Sequence, residues 1–342
     1  MTGLRNPDEL LRRIRSVHEA IRDEVVSACS TTSSDDLARV VGDDAGDTQF
    51  AIDRVSEAVL LDRFAELARD WPCLLVAEGL GDDGRAVLPR GTSPDAVEIV
   101  VLVDPIDGTR GLMYQKRSAW ILTGVAPAGK APATLADIEL AVQTEIPLVK
   151  QHLSDTLWAL AGKGAHAERF DRLSRARRPL ALRPSRASTI AQGYGGLARF
   201  FPGGREVLAS VDDSVVDRVL GRGAPGRAQT FEDQYISSGG QLYELVMGHD
   251  RWIADLRPLL ASFLRDHGRP PAMCCHPYDL ATELVAREAG VLVTDPFGER
   301  LSAPADVVTD VAWIGYANAA IRDQVEPALR AALEERGLRR RA

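Results

Sequence analysis

The sequence predicts an α/β protein built as two associated halves, and three observations carry that prediction. Short runs rich in β-branched residues and leucine, near 97–103, 120–126, 138–143 and 157–161, have the length and composition of strands. Two longer stretches, 8–29 and 54–70, carry apolar residues at helical spacing. At 342 residues the chain is too long for one minimal core and long enough for each half to bury a sheet.

Taken along the chain, the first helix shows Leu10, Leu11, Ile14 and Val17 on one stripe, and the second shows Val55, Val59, Leu60, Phe64 and Leu67; both are expected to cover the first sheet. Leu74-Leu75-Val76-Ala77 is a short apolar run that ends in a carboxylate, Glu78. Val97 to Val103 is apolar at nearly every position, the pattern of a strand covered on both faces, and Pro105 is expected to end its ladder. Arg172 to Arg183 reads as solvated linker or loop. A Pro-, Arg- and Ser-rich break near 179–188 marks the expected boundary between an N-terminal half, 1–180, and a C-terminal half, 181–342. Beyond it Asp279 reads as a helix N-cap, followed by Leu284, Val285 and Ala289 on one face and by Gly290 as the stop.

Composition excludes some classes of function. A net charge of −8 argues against binding a nucleic-acid polymer, whose phosphates require a concentrated basic surface. The 37 arginines against four lysines most simply reflect codon usage. With no run of eighteen apolar residues and no charged-then-apolar leader, a soluble, cytoplasmic protein without a membrane partner is expected. Cys29, Cys73, Cys274 and Cys275 have neither a disulfide framework nor zinc spacing and are expected to be reduced. The six histidines show no metal-type spacing and most are expected at the surface or near the site, with His276, three residues before Asp279, singled out.

The chemistry concentrates at Asp104-Pro105-Ile106-Asp107-Gly108-Thr109. Two carboxylates at the carboxyl edge of a buried strand, with the Ile106 carbonyl between them, offer oxygen ligands of the kind Mg²⁺ takes. Gly108 lets backbone N–H groups approach an anion closely.

This hexapeptide resembles the signature of the Mg²⁺-dependent, lithium-sensitive inositol monophosphatase superfamily. Other pieces of that pattern follow in order, from about residue 40 to about residue 320. Glu78 stands where the family carries the first of two glutamates, with Gly79 in place of the second. Asp47 to Glu57 matches Asp-x-x-Thr-x-x-Asp-x-x-x-Glu, with Phe50 at the threonine. Tyr278-Asp279-Leu280-Ala281 is similar to Trp-Asp-x-Ala, and Glu288 to Asp295 is similar to the segment that follows it.

The resemblance implies a layered αβαβα sandwich with a metal site at the junction of the halves. It implies one Mg²⁺ held by Glu78, Asp104 and the Ile106 carbonyl, a second held by Asp104, Asp107 and Asp279, and room for a weaker third. Thr109, with Asp53 or Glu78, would orient the attacking water. The Gly108 and Thr109 amides would hold the phosphate, and Ser238 and Gly239 would touch the substrate. Arg110 would either meet a second anionic group or lie in solvent. The implied activity is Mg²⁺-dependent hydrolysis of a small phosphorylated metabolite (a polyol, sugar, amino-alcohol or nucleotide phosphate) by a homodimer. Arg110-Gly111-Leu112 also resembles bisphosphate nucleotidases and histidinol-phosphatases, which gives a 3′(2′),5′-bisphosphate nucleotidase or a histidinol-phosphatase as the alternative. Ala272 occupies the place of an inositol-binding glutamate, so free inositol phosphate is not the first expectation, and Arg257 to Arg269 reads as an insertion beside the site. Gly79 and Phe50 keep a third reading in view, a non-catalytic relative that binds a phosphorylated ligand.

Overall fold

The structure, a computed structural model, describes residues 3–44, 47–80, 83–129 and 131–338. The chain opens with helix α1 (Pro7–Thr31) and the short α2 (Ser34–Leu37), then an antiparallel hairpin of β1 (Val40–Asp44) and β2 (Asp47–Phe50), then α3 (Asp53–Leu67). Eight strands and one short helix follow: β3 (Cys73–Ala77), β4 (Arg85–Leu88), β5 (Ile99–Asp107), α4 (Thr109–Met113), β6 (Ala119–Pro127), β7 (Leu140–Ile146), β8 (Leu153–Leu160), β9 (Ala165–Asp171) and β10 (Arg177–Pro179). The remainder comprises β11 (Tyr194–Leu197), α5 (Arg205–Leu220), α6 (Ser238–Val246), β12 (Asp250–Asp255), α7 (Ala261–Asp266), α8 (Glu283–Glu288), β13 (Leu292–Thr294), β14 (Trp313–Tyr316) and α9 (Ala319–Glu335).

Strands β3 to β10 form one sheet in the order β10-β9-β8-β7-β6-β5-β3-β4, and β11 to β14 form a second in the order β11-β12-β14-β13. Helices α1 and α3 bring Leu10, Ile14, Leu60 and Phe64 against the first sheet, so their apolar stripes cover it as the periodicity predicts. The opposite face packs on α6 and α8, which also touch the second sheet, and α5 and α9 close that sheet from outside. The result is five layers, αβαβα. Strands covered on both sides have no solvent face, which is why all nine residues of β5 are buried and why its sequence does not alternate. Among the described residues no helix is long and apolar enough to cross a membrane.

Two expectations are corrected. The β5 ladder does not end at Pro105: a register shift between Asp104 and Asp107 absorbs the proline, and pairing resumes at Asp107 with Trp120. A bulge leaves one residue unpaired, and a residue without an N–H fits there. The arginine-rich stretch is not simply a solvated linker, because residues 177–179 add an edge strand and Arg177 pairs with Glu168 and Glu19. Most histidines lie at the surface or line the site, as expected, and His18 is the exception. It is fully buried, with Nδ1 3.0 Å from the Thr144 hydroxyl and Nε2 2.8 Å from that of Thr123, and burial lowers it to about 3. The four cysteines are free.

Candidate active site

The site begins with strand register. Within the first sheet β3 and β5 are parallel neighbours, with Ala77 opposite Val103, so both chains leave the sheet at one edge and Glu78 emerges beside Asp104. The bulge at Pro105 then turns the next residues back on themselves. Asp104 Oδ1 accepts the Ile106 N–H at 2.9 Å, and Gly108, at φ +97°, makes the left-handed turn into α4.

Asp107 is held from the other half of the chain. Its carboxylate accepts the Ser237 hydroxyl at 2.7 Å, the Gly239 N–H at 2.6 Å and the Ser238 N–H at 3.2 Å, all from the start of α6. A β-carbon on Gly239 would lie 2.9 Å from Asp107 Oδ2 and 2.5 Å from Leu122, so only glycine admits this approach. Ser238 and Gly239 therefore position a carboxylate. Ser238 also lines the pocket, and its Oγ lies 3.5 Å from Cys275 Sγ. Ser237, which opens the Ser237-Ser238-Gly239-Gly240 segment but was not expected to act at the site, makes the one side-chain bond to Asp107 among the described residues.

Asp279 arrives on a short 3₁₀ turn, Pro277–Leu280, pressed against β6 where Gly124 leaves room. It is not the helix N-cap that the sequence suggests. Asp279 sits at the third position of the turn and accepts the His276 N–H at 2.6 Å, while α8 begins only at Glu283. His276 also lines the pocket, with Nδ1 3.1 Å from the Thr309 carbonyl oxygen.

The outcome is a triad of carboxylates from two halves of the chain: one oxygen each of Asp104, Asp107 and Asp279 lies within 4.8 Å of the others. Burial pushes Asp104 well above the usual carboxylate range, and the charges of Asp107, Asp279 and Glu78 push it further. Burial pushes Asp107 up to about 8, with Asp279 adding to it against the three hydrogen bonds from α6. Asp279 is raised by burial, against its bond from His276. Such a cluster repels itself unless protons or cations neutralise it, and an all-oxygen donor set suits a hard divalent ion such as Mg²⁺, Ca²⁺ or Mn²⁺.

Thr109 and Asp53 complete the edge. The Thr109 hydroxyl lies 3.1 Å from Asp53 Oδ1 and 2.8 Å from the Ile106 carbonyl oxygen, and Asp53 Oδ2 accepts the Phe50 N–H at 2.8 Å. Glu78, Asp53 and Glu57 face the same pocket as the triad. Its other wall is aromatic and cationic. The Arg110 guanidinium carbon sits 5.5 Å from the Phe50 ring centroid and 5.2 Å from that of Phe201, so Arg110 does not lie in open solvent. Arg257, at the head of the expected insertion, is buried in this wall, paired with Asp255 and donating to the Met273 carbonyl at 2.7 Å. Phe201 left no trace that spacing could reveal, because it reaches the site only through the packing of the second sheet, whereas Arg257 was expected beside the site without a role.

No protein-family model matches the chain, and no curated protein sequence matches it. Solved structures do. Leishmania major fructose-1,6-bisphosphatase in its holo form superposes with a TM-score of 0.69 at 12% identity, over 96% of this chain and 95% of that one. It has the inositol monophosphatase and fructose-1,6-bisphosphatase fold. The extragenic suppressor protein SuhB of Bartonella henselae is similar over 94% of this chain and 98% of its own, with a TM-score of 0.64 and 15% identity. The inositol monophosphatase of Thermotoga maritima matches over 95% and 99%, with a TM-score of 0.59 and 17% identity. The five layers expected from the motif resemblance are those of this phosphatase fold, at identities that speak to architecture alone.

Proposed function

We propose that this chain is a Mg²⁺-dependent phosphomonoesterase acting on a small phosphorylated metabolite. The observation that carries the reading is the triad of Asp104, Asp107 and Asp279, two of them buried and the third half-buried, drawn from both halves and set beside Thr109 and Asp53. Glu78, Asp104 and the Ile106 carbonyl are the residues that would hold one cation, and Asp104, Asp107 and Asp279 a second, with a third admitted by the same acidic edge. When bound, such ions lower the pKa of a coordinated water and offset the charge of phosphate and leaving group.

The remaining work falls to the chain itself. Asp53, fixed by the Phe50 N–H, orients the Thr109 hydroxyl, whose oxygen then accepts a hydrogen bond from the attacking water. The first turn of a helix leaves N–H groups without intrahelical acceptors, which lets the Gly108 and Thr109 amides hold phosphate oxygens in line. Water adds to phosphorus, the bond to the leaving oxygen breaks, and that oxygen takes up a proton; no covalent enzyme intermediate is required. Arg110 between two phenylalanine rings favours, within this reading, a substrate carrying a second anionic or aromatic group, as a bisphosphate nucleotidase or histidinol-phosphatase would take. A cytoplasmic homodimer is the expected setting, and light scattering on the purified chain tests the assembly.

The test is phosphate release from inositol, sugar, histidinol and nucleoside phosphates and adenosine 3′,5′-bisphosphate, with Mg²⁺ and then with EDTA, beside Asp104→Asn. Turnover that requires Mg²⁺ and is lost in the variant supports the reading. A folded protein that binds Mg²⁺ and turns over no phosphomonoester overturns it in favour of a non-catalytic, ligand-binding relative.

A further inference from the structure

Gly79 has a positive φ of +77°, and a β-carbon built on it would lie 2.6 Å from Glu57 Oε1. Position 79 thus lacks a side chain, and a carboxylate from another element lies over it. Glu57 belongs to α3, four residues after Asp53, so the two share one helix face, and both line the pocket. Asp53 is engaged with Thr109 and the Phe50 N–H. Glu57 stands one helical turn further along, over the residue that follows Glu78. Its half-buried carboxylate takes part in no hydrogen bond among the described residues.

We propose that Glu57 is a positioning residue of the cation centre, its carboxylate accepting hydrogen bonds from the water shell of a cation held at Glu78, with Gly79 as the opening that admits it. This rests on the phosphatase reading of the same site. It assigns Glu57 and Gly79 a joint role: the missing side chain at 79 leaves the space in which the Glu57 carboxylate stands. Groups that orient the ligands and waters of a metal ion typically account for about 10–100-fold in affinity.

The experiment is Mn²⁺ binding to the full chain by calorimetry and electron paramagnetic resonance, for the wild type, Glu57→Gln, Gly79→Ala, the double variant and Asp104→Asn. Glu57→Gln keeps the shape and should weaken Mn²⁺ binding by about tenfold or more without lowering the melting temperature of the metal-free protein. The half-saturating Mg²⁺ concentration for turnover should rise in step, with kcat restored at saturating Mg²⁺. Gly79→Ala should act in the same direction by displacing the carboxylate, and the double variant should be no worse than the more affected single one. An affinity for Glu57→Gln within about twofold of wild type, while Asp104→Asn is strongly weakened, overturns the assignment of Glu57 alone. Equal Mn²⁺ binding by wild type and Asp104→Asn overturns the cation centre and Glu57 with it.

Discussion

Replacing Asp104 with Asn removes one negative charge from the centre and keeps the oxygen that accepts the Ile106 N–H at 2.9 Å. Two unit charges 4.8 Å apart, the outer limit within the triad, repel by about 3.5 kcal/mol at an effective dielectric constant of about 20. Part of that repulsion is already relieved, because Asp107, pushed up to about 8, carries its proton for most of the time near neutral pH. The net gain expected for the metal-free variant is therefore about 1–3 kcal/mol, or about 1–4 °C in melting temperature for a chain of this length. The sign follows from linkage. A carboxyl whose folded pKa is raised stabilises the protein while protonated, and that contribution is lost as pH climbs toward about 8. Wild type in EDTA should thus lose stability between about pH 5 and pH 8.5 more steeply than Asp104→Asn does. Millimolar Mg²⁺ should reverse the order, raising the wild-type melting temperature and leaving the variant nearly unmoved. Calorimetric melts across that pH range, with EDTA and with Mg²⁺, provide the assay. A variant less stable than wild type in EDTA near pH 7.5, or one with an undiminished response to Mg²⁺, refutes the picture of mutually repelling carboxylates that await a cation.

Thr109→Val removes the hydroxyl shared between Asp53 and Ile106 and should lower kcat by about 10²-fold or more, leaving Mn²⁺ affinity within about threefold of wild type; steady-state kinetics with calorimetry separates the two effects. Gly239→Ala drives a methyl group toward Leu122 and Asp107 and should cost about 1–3 kcal/mol by urea unfolding while weakening cation binding; unchanged binding would show that the three bonds from α6 are not what aims Asp107. His18 has its folded pKa lowered to about 3 from 6.5, so the unfolded chain binds the extra proton and stability falls as pH drops below about 6.5. Between about pH 7.5 and pH 5 this amounts to about 2 kcal/mol. The loss should be absent from His18→Gln, so the stability difference between wild type and variant in urea unfolding should shift by about 2 kcal/mol between the two pH values, and a difference that does not change with pH would contradict the assignment.

Local sequence carried the parts of this protein whose physics is local. The stripes of α1 and α3 were legible because an amphipathic helix must repeat its apolar residues every three to four positions, and β5 was legible because a strand covered on both faces has no reason to alternate. Asp104, Asp107, Gly108 and Thr109 could be singled out because one bulge and one left-handed glycine set them within six residues of one another. The packing decided everything that crosses between elements. Parallel register brought Glu78 beside Asp104, and α6 reached across from the second half to grip Asp107 through Ser237 and Gly239. A 3₁₀ turn, where the sequence suggested an N-cap, delivered Asp279. His18 went into the core because threonines on β6 and β7, more than a hundred residues away, satisfy both ring nitrogens. Phe201, Arg257 and the carboxylate of Glu57 above Gly79 came to the pocket by the same route. Periodicity and turn chemistry are written in neighbouring residues, whereas the meeting of two carboxylates depends on how whole layers pack, and no short stretch of sequence encodes that.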